Sequence, residues 1–293
     1  MTHSVGLIGI GLMGTALTKR LIDAGYSVIG FDIDPGKRAE FKKLGGEPVD
    51  SVAEVARRCL FYLIAVMTMA QVEDVVEGEG GLIAAGDAKL KRIAMCTSTC
   101  EPDRIEALAA RAAARGFAFL DTPVSGTSWQ VLRGDGYGLL AGDKAALETV
   151  DGILGVIYPR RQYIGPAGAA TKAKLAINHI LGLNRLALAE GLAFAGRLGL
   201  DLATFLEVAK KSAAYSQIMD VKGGKMITGD FSPMSTVSQH LKDVRITLEE
   251  ARRRGQQLPL LSVLAEVMEA CERRGDGARD NAIAIEEIRR RTL

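Results

Sequence analysis

Two short patterns carry most of the chemistry legible in this sequence. Gly9-Ile10-Gly11-Leu12-Met13-Gly14 is a G-x-G-x-x-G that follows the apolar run Val5-Gly6-Leu7-Ile8 and opens an amphipathic segment. In a strand–turn–helix setting each glycine has a task. The first makes the tight turn, the second lets backbone approach a pyrophosphate, and the third lets the helix pack on the strand. The N–H groups that begin the helix, those of Leu12 and Met13 among them, then face the phosphates. Asp32 ends the next apolar run, 18 residues beyond Gly14. A carboxylate there accepts hydrogen bonds from the adenosine ribose and repels a 2′-phosphate, which predicts NAD in preference to NADP. Lys37 and Arg38 follow closely. They are read as an exposed helix start, with attraction of a phosphate as the competing reading.

The second pattern is Lys174 with Asn178, at i and i+4 in a long helical stretch. Both project from one face, which Thr171, Leu181 and Arg185 continue. Oxidising an alcohol needs a proton taken from oxygen while hydride leaves carbon. A lysine can accept that proton where burial or a positive nicotinamide ring lowers its pKa, and an asparagine can hold a hydroxyl or carboxylate in line. By spacing alone such a pair is more often a solvated stripe, so spacing leaves both readings open. Lys172 faces elsewhere, and His179 reads as a packed or capping histidine.

The elements that must position these groups follow from periodicity. Strand-like runs at 5–9, 27–32, 60–66, 92–96, 117–121 and 138–141 alternate with helical segments near 13–24, 36–44, 69–77, 103–115 and 144–154. Such alternation predicts right-handed crossovers and a mostly parallel sheet covered on both faces. After Tyr163 strand signals stop. One long helical period runs from Pro166 to about Arg197, followed by segments at 202–211, 217–225, 236–254, 260–274 and 281–290. The expected organisation is therefore an α/β Rossmann-like domain over 1–164 and an all-α domain over 165–293 that begins with a long interdomain helix.

Composition narrows the function classes. The 293 residues are 48% hydrophobic and 25% charged, with a formal net charge of +2. At roughly 150 residues per domain this suits two domains with real cores. A near-neutral chain makes no case for nucleic acid as partner, and no stretch reaches the roughly 18 apolar residues of a membrane span. Arg252-Arg253-Arg254 and Arg289-Arg290-Arg291 lie beside glutamates and read as solvated helix faces. Cys59, Cys96, Cys100 and Cys271 make no disulfide framework, and His3, His179 and His240 are scattered, so no metal site is expected. The segment 5–17 lacks a basic leader and is broken by four glycines, so it reads as structure, and a reducing cytoplasmic setting is expected.

With these elements placed, the chain resembles, nearly end to end, the β-hydroxyacid dehydrogenase family, which includes 3-hydroxyisobutyrate dehydrogenase and tartronate semialdehyde reductase. The resemblance rests on the glycine-rich sextet, on Ser98-Thr99 followed by Pro102, and on Asp121-Thr122-Pro123-Val124-Ser125-Gly126. It extends through Gly165-Pro166-Ala167-Gly168, leading to Lys174 and Asn178, and ends at Lys242-Asp243. It implies Lys174 as catalytic lysine and Asn178 as its partner. It also implies a loop at Ser125, Gly126 and Thr127 that offers a hydroxyl and N–H groups to a substrate carboxylate. Val66 and Met67 match the loop under the cofactor riboses, Thr99 a nicotinamide-side contact, and Lys242 a lysine reaching cofactor and substrate; an ordinary surface ion pair with Asp243 is the rival reading of Lys242.

The implied activity is NAD(P)-dependent interconversion of a small 3-hydroxy acid and its semialdehyde, by a homodimer or homotetramer. The sequence departs from the family at Thr127, where a second glycine is usual, and at Trp129 and Gln130, where small residues are usual. Cys96 replaces a frequent aspartate and Ile177 an asparagine. A bulkier, sulfonated or phosphorylated hydroxy acid is therefore an alternative substrate. A non-catalytic dinucleotide-binding module is a rival of another class, but members of that habit have lost the lysine that this chain keeps at position 174.

Overall fold

The computed structural model describes residues 4–292, so His3 lies outside the described residues. These residues form two compact units that divide between Lys174 and Leu175, inside a helix.

The first unit begins β1 (Val5–Ile8), α1 (Leu12–Asp23), β2 (Val28–Phe31), α2 (Pro35–Lys43), β3 (Glu47–Pro48), α3 (Val52–Arg58), β4 (Phe61–Ile64), α4 (Met69–Glu77) and α5 (Leu82–Ala85). It continues with β5 (Arg92–Cys96), α6 (Pro102–Ala113), β6 (Phe117–Asp121), β7 (Val124–Ser125), α7 (Ser128–Leu132), β8 (Tyr137–Ala141), α8 (Lys144–Thr149), α9 (Asp151–Ile157) and β9 (Arg160–Gly165). The sheet order is β3-β2-β1-β4-β5-β6-β8-β7, with β9 also paired to β8. Pairing is parallel from β3 through β6 and antiparallel where β8 meets β6 and β7. Side chains alternate across this sheet, as a period of two requires. Val5, Leu7, Leu63 and Met95 pack in one core, while Ile8, Tyr62, Ile64 and Ala94 pack in the other. Both faces are thus buried, which is why the central strands read as continuous apolar runs.

β9 was not expected. Its residues are mostly exposed and include Arg160, Arg161 and Gln162, so it has no apolar signature to read; β8 recruits it by parallel pairing.

Helix α10 (Ala169–Arg197) is 29 residues long, about 43 Å of helix. The second unit continues with α11 (Leu202–Lys210), α12 (Gln217–Thr228), α13 (Val237–Arg253), α14 (Pro259–Arg273), a 3-10 turn at Asn281–Ile283 and α15 (Ala284–Arg290). Its core gathers Leu188, Leu192, Leu241, Val244, Leu264 and Met268. At Gly182 a Cβ would stand 2.7 Å from a Leu264 methyl and 3.1 Å from His240 Nε2, so glycine permits the close crossing there. No described helix is long and apolar enough to cross a membrane.

Candidate active site

The sheet reverses its direction of growth between β1 and β4, and open α/β sheets bind ligands beyond the carboxyl ends of the strands at such a point. Gly9, with φ +94°, leaves β1 there. A Cβ on Gly9 would meet the Ala65 carbonyl oxygen at 2.5 Å, and one on Gly14 would meet the Gly9 oxygen at 2.1 Å. The fold itself therefore demands those two glycines. A Cβ on Gly11 would meet nothing within 4 Å, so the protein does not use the space beside it. No side chain caps α1 and no acid lies in its first turn, which leaves the first N–H groups of that helix to an outside acceptor. The residues present fit a dinucleotide pyrophosphate.

Asp32 is buried at the end of β2. Its Oδ2 accepts the Ile10 N–H at 2.7 Å and its Oδ1 the Asp34 N–H at 2.9 Å, so the carboxylate ties down the glycine loop. Lys37 Nζ lies 3.7 Å from Oδ2, and Arg38 donates to the Asp32 carbonyl at 2.7 Å. Both cations that follow Asp32 in sequence are thus engaged with it.

The neighbouring strand ends carry the other residues expected on the cofactor side. Val66 and Met67 follow β4. The Ser98 hydroxyl donates to the Val66 carbonyl at 2.7 Å and Thr97 Oγ1 to Ile64 at 3.0 Å, so the loops after β4 and β5 are stitched together. Gln71 Oε1 takes the Met67 and Thr68 N–H groups at 2.9 and 3.0 Å. Thr99, half-buried, lies in the loop after β5. All four cysteines are free and buried; the hydrogen bond with Cys100, then burial, push the Cys96 thiol well above its ordinary value, a packed thiol rather than a reactive one.

After β6, Ser125 and Gly126 are half-buried, and Gly126 has φ +140°. Thr127 forms a capping box with Gln130: its N–H donates to Gln130 Oε1 at 2.9 Å, and its hydroxyl accepts the Gln130 N–H at 3.2 Å. Its polar groups thus shape the loop and serve the start of α7. Trp129 is half exposed, with the Arg133 guanidinium 4.4 Å over its ring.

Asp121, the last residue of β6, is fully buried and grips the start of α10. It accepts the Gly168 N–H at 3.1 Å, the Thr171 N–H at 2.9 Å and the Thr171 hydroxyl at 2.7 Å. Burial pushes its pKa up to about 6, against the pull of these hydrogen bonds. Lys174 stands three residues beyond Thr171 and is 7% exposed. Lys172, one face away, pairs with Glu106 on the surface.

In the second unit Asn178 is 8% exposed, and its Nδ2 donates to Asp243 Oδ2 at 2.9 Å. Lys242 Nζ lies 3.1 Å from Asp243 Oδ1. One carboxylate thus joins Asn178 and Lys242, and the pair is mostly buried rather than a solvated surface bridge. Asp243 as shared partner and Asp121 as clamp were not singled out from sequence. Both stood inside recognised motifs, but nothing in local spacing says which distant groups a carboxylate will meet.

Comparison with known proteins places the chain in a family. Residues 4–165 match the family described as the NAD binding domain of 6-phosphogluconate dehydrogenase. Residues 168–288 match that described as NAD-binding of NADP-dependent 3-hydroxyisobutyrate dehydrogenase. The chain is 30% identical over 286 residues to L-threonate dehydrogenase of Cupriavidus necator, covering 97% of this chain and 96% of that one. It is 27% identical over 282 residues to 2-(hydroxymethyl)glutarate dehydrogenase of Eubacterium barkeri, covering 96% and 93%. Among solved structures, 3-hydroxyisobutyrate dehydrogenase from Salmonella typhimurium superposes with a TM-score of 0.88 at 26% identity, covering 97% of this chain and 99% of that one. A Rossmann-like sheet with an open glycine loop, a buried lysine on a long helix and these relatives together make this chain a member of the β-hydroxyacid dehydrogenase family of NAD(P)-dependent oxidoreductases.

Proposed function

We propose that this enzyme interconverts a small 3-hydroxy acid, resembling 3-hydroxyisobutyrate, and its semialdehyde, with NAD preferred to NADP. The observation that carries this reading is a buried lysine and a buried asparagine one turn apart on α10, with Asn178 held by Asp243 and Asp243 in turn paired with Lys242. The bound dinucleotide supplies the hydride acceptor, or donor in the reverse direction. Lys174 takes the hydroxyl proton during oxidation and returns it during reduction. Asn178, its amide fixed by Asp243, orients the hydroxyl, which keeps the reacting oxygen near Lys174. Ser125 and the Gly126 N–H receive the carboxylate, with Thr127 shaping their loop. Gly9, Gly11, Leu12, Met13 and Gly14 hold the pyrophosphate and Asp32 the adenosine ribose. Val66, Met67 and Thr99 line the ribose and nicotinamide side, and Lys242 reaches toward cofactor and substrate.

Replacing Lys174 with alanine is expected to lower kcat by at least about a hundredfold while leaving the Kd for NAD within about threefold. Stopped-flow turnover paired with fluorescence titration of the cofactor reads both quantities. Undiminished turnover would remove Lys174 from the mechanism. A longer or more polar hydroxy acid is the second reading, favoured by the name of the L-threonate relative. We assign cofactor binding to residues 1–164 and substrate positioning chiefly to 165–293, close to the limits of the two family matches. Ile180 and Phe194 on α10, with Leu198 just after it, are exposed apolar side chains, which supports assembly with further copies as a homodimer or homotetramer. Four free, buried cysteines support a reducing, cytoplasmic setting.

A further inference from the structure

Arg20 stands in the last turn of α1 and is half-buried. It continues the face of Met13, Ala16 and Leu17. That face packs into the core shared with Val131 of α7 and with Ile153, Leu154 and Ile157 of α9. The guanidinium reaches both neighbouring helices. Its Nε donates to the Val156 carbonyl at 2.7 Å and its Nη1 to the Leu132 carbonyl at 3.3 Å. Leu132 is the last residue of α7 and Val156 the last but one of α9. Carbonyls at helix ends have no N–H of a following turn to accept, and they carry the negative end of the helix dipole. One cation at the end of α1 thus closes the ends of two further helices. The forked donors of a guanidinium suit that task, and a lysine ammonium lacks their geometry. Gly134 leaves the room: its φ is +80°, and a Cβ there would stand 3.0 Å from Arg20 Nη1.

What α7 carries gives this contact its meaning. The helix is five residues long and begins directly after the Ser125–Thr127 loop. A helix so short has no stability of its own, so its place is set by whatever grips it. At its start the grip is the Thr127–Gln130 capping box, beside which a Cβ on Gly126 would stand 3.5 Å from Gln130 Cβ. At its end the grip is Arg20. Loop and helix form one tied piece, and its far end is fastened to the helix that opens at the glycine loop.

We infer that Arg20 is a positioning residue for the hydroxy acid: acting through α7, it holds the Ser125–Thr127 loop at a fixed place relative to α1. This rests on the proposed role of Ser125 and Gly126 as receivers of the substrate carboxylate. Hydrogen-bond donors shifted by about 1 Å lose their alignment with a bound carboxylate, at a cost of about tenfold or more. The glycine loop lies at the other end of α1, so the cofactor is expected to bind as before.

The test is Arg20→Met, with 3-hydroxyisobutyrate and L-threonate as substrates and NAD as cofactor. The site is half exposed, so water can take over the freed carbonyls and the variant is expected to fold. The KM for whichever acid the wild type oxidises should rise by about tenfold, with kcat and the Kd for NAD each within about threefold. Arg20→Lys keeps the charge but not the fork, and its KM should rise by only about threefold. Trp129, the one tryptophan of the chain, lies on α7 and reports that helix without any substrate. Its quenching by acrylamide should increase about twofold in Arg20→Met. Unchanged quenching, or a fall in stability with KM unaltered, overturns the inference and leaves Arg20 a structural strut. A Kd for NAD that rises as much as KM also overturns it, because Arg20 would then support α1 itself. If Arg20→Met does not fold, Arg20→Lys decides by the same measurements. If Lys174→Ala remains active while KM tracks Arg20, the proposed mechanism fails and the positioning role stands. If the wild type oxidises neither acid, the proposed substrate class fails, and the Trp129 quenching still decides whether Arg20 holds α7.

Discussion

At the scale of single residues, a carboxylate is defined by what donates to it, and Asp32 shows how two tasks can share one side chain. In the proposed reading its negative charge sets the cofactor preference, and its Oδ2 also holds the Ile10 N–H of the glycine loop. Asp32→Ala is therefore expected to weaken NAD and NADP alike through the loosened loop. Only the loss of repulsion toward a 2′-phosphate favours NADP. The clean readout is the ratio of kcat/KM for NADP to that for NAD, which should rise by about tenfold. An unchanged ratio would show that the carboxylate does not sit beside the ribose 2′ position.

At the scale of elements, the start of α10 is held by Asp121 through Gly168 and Thr171, one turn before Lys174. A Thr171→Val substitution removes a hydroxyl donor from a fully buried carboxylate and should destabilise the fold by about 1–3 kcal/mol, whereas Thr171→Ser retains the donor. The pH dependence has a definite sign. The folded pKa of Asp121, about 6, lies above the ordinary 3.8. The protonated form is thus favoured in the folded state, and the stability linked to this group is complete below about pH 4 and declines as pH rises through 6. Losing the Thr171 hydroxyl raises that pKa further. Urea unfolding should accordingly show the gap between wild type and Thr171→Val widening from pH 5 to pH 8. A gap that does not change with pH would mean that Asp121 is not the acceptor that matters.

At the scale of the whole molecule, each unit has its own core and its own buried polar anchor. Asp280 is the anchor of the second unit: it joins Lys222 on α12, the Met234–Ser235 loop and the 3-10 turn. Burial works to raise its pKa, but the Lys222 ammonium and the N–H groups bring it below the ordinary value. Its contribution is thus present above about pH 4 and lost as pH falls further. Asp280→Asn would leave Lys222 and Arg185 as buried cations without their acid. A loss of about 3–5 kcal/mol at pH 7 is expected by urea unfolding, with the difference from wild type shrinking on acidification. A loss below 1 kcal/mol would show the second unit to be held by apolar packing alone.

The strand–helix alternation, the glycine loop, the acid ending β2 and the lysine–asparagine spacing were all legible in the chain, because each depends on residues close in sequence. Periodicity is a local consequence of backbone geometry, and a G-x-G-x-x-G needs only its own strand and helix. The polar strand β9 escaped such reading because its partner, not its composition, makes it a strand. Asp121 reaching Thr171 across fifty positions, Asp243 holding Asn178 across sixty-five, and Arg185 left among Lys222 and Asp280 were decided only by tertiary folding. The charge balance of a buried group depends on which distant segments fold against it, and no local pattern encodes that sum.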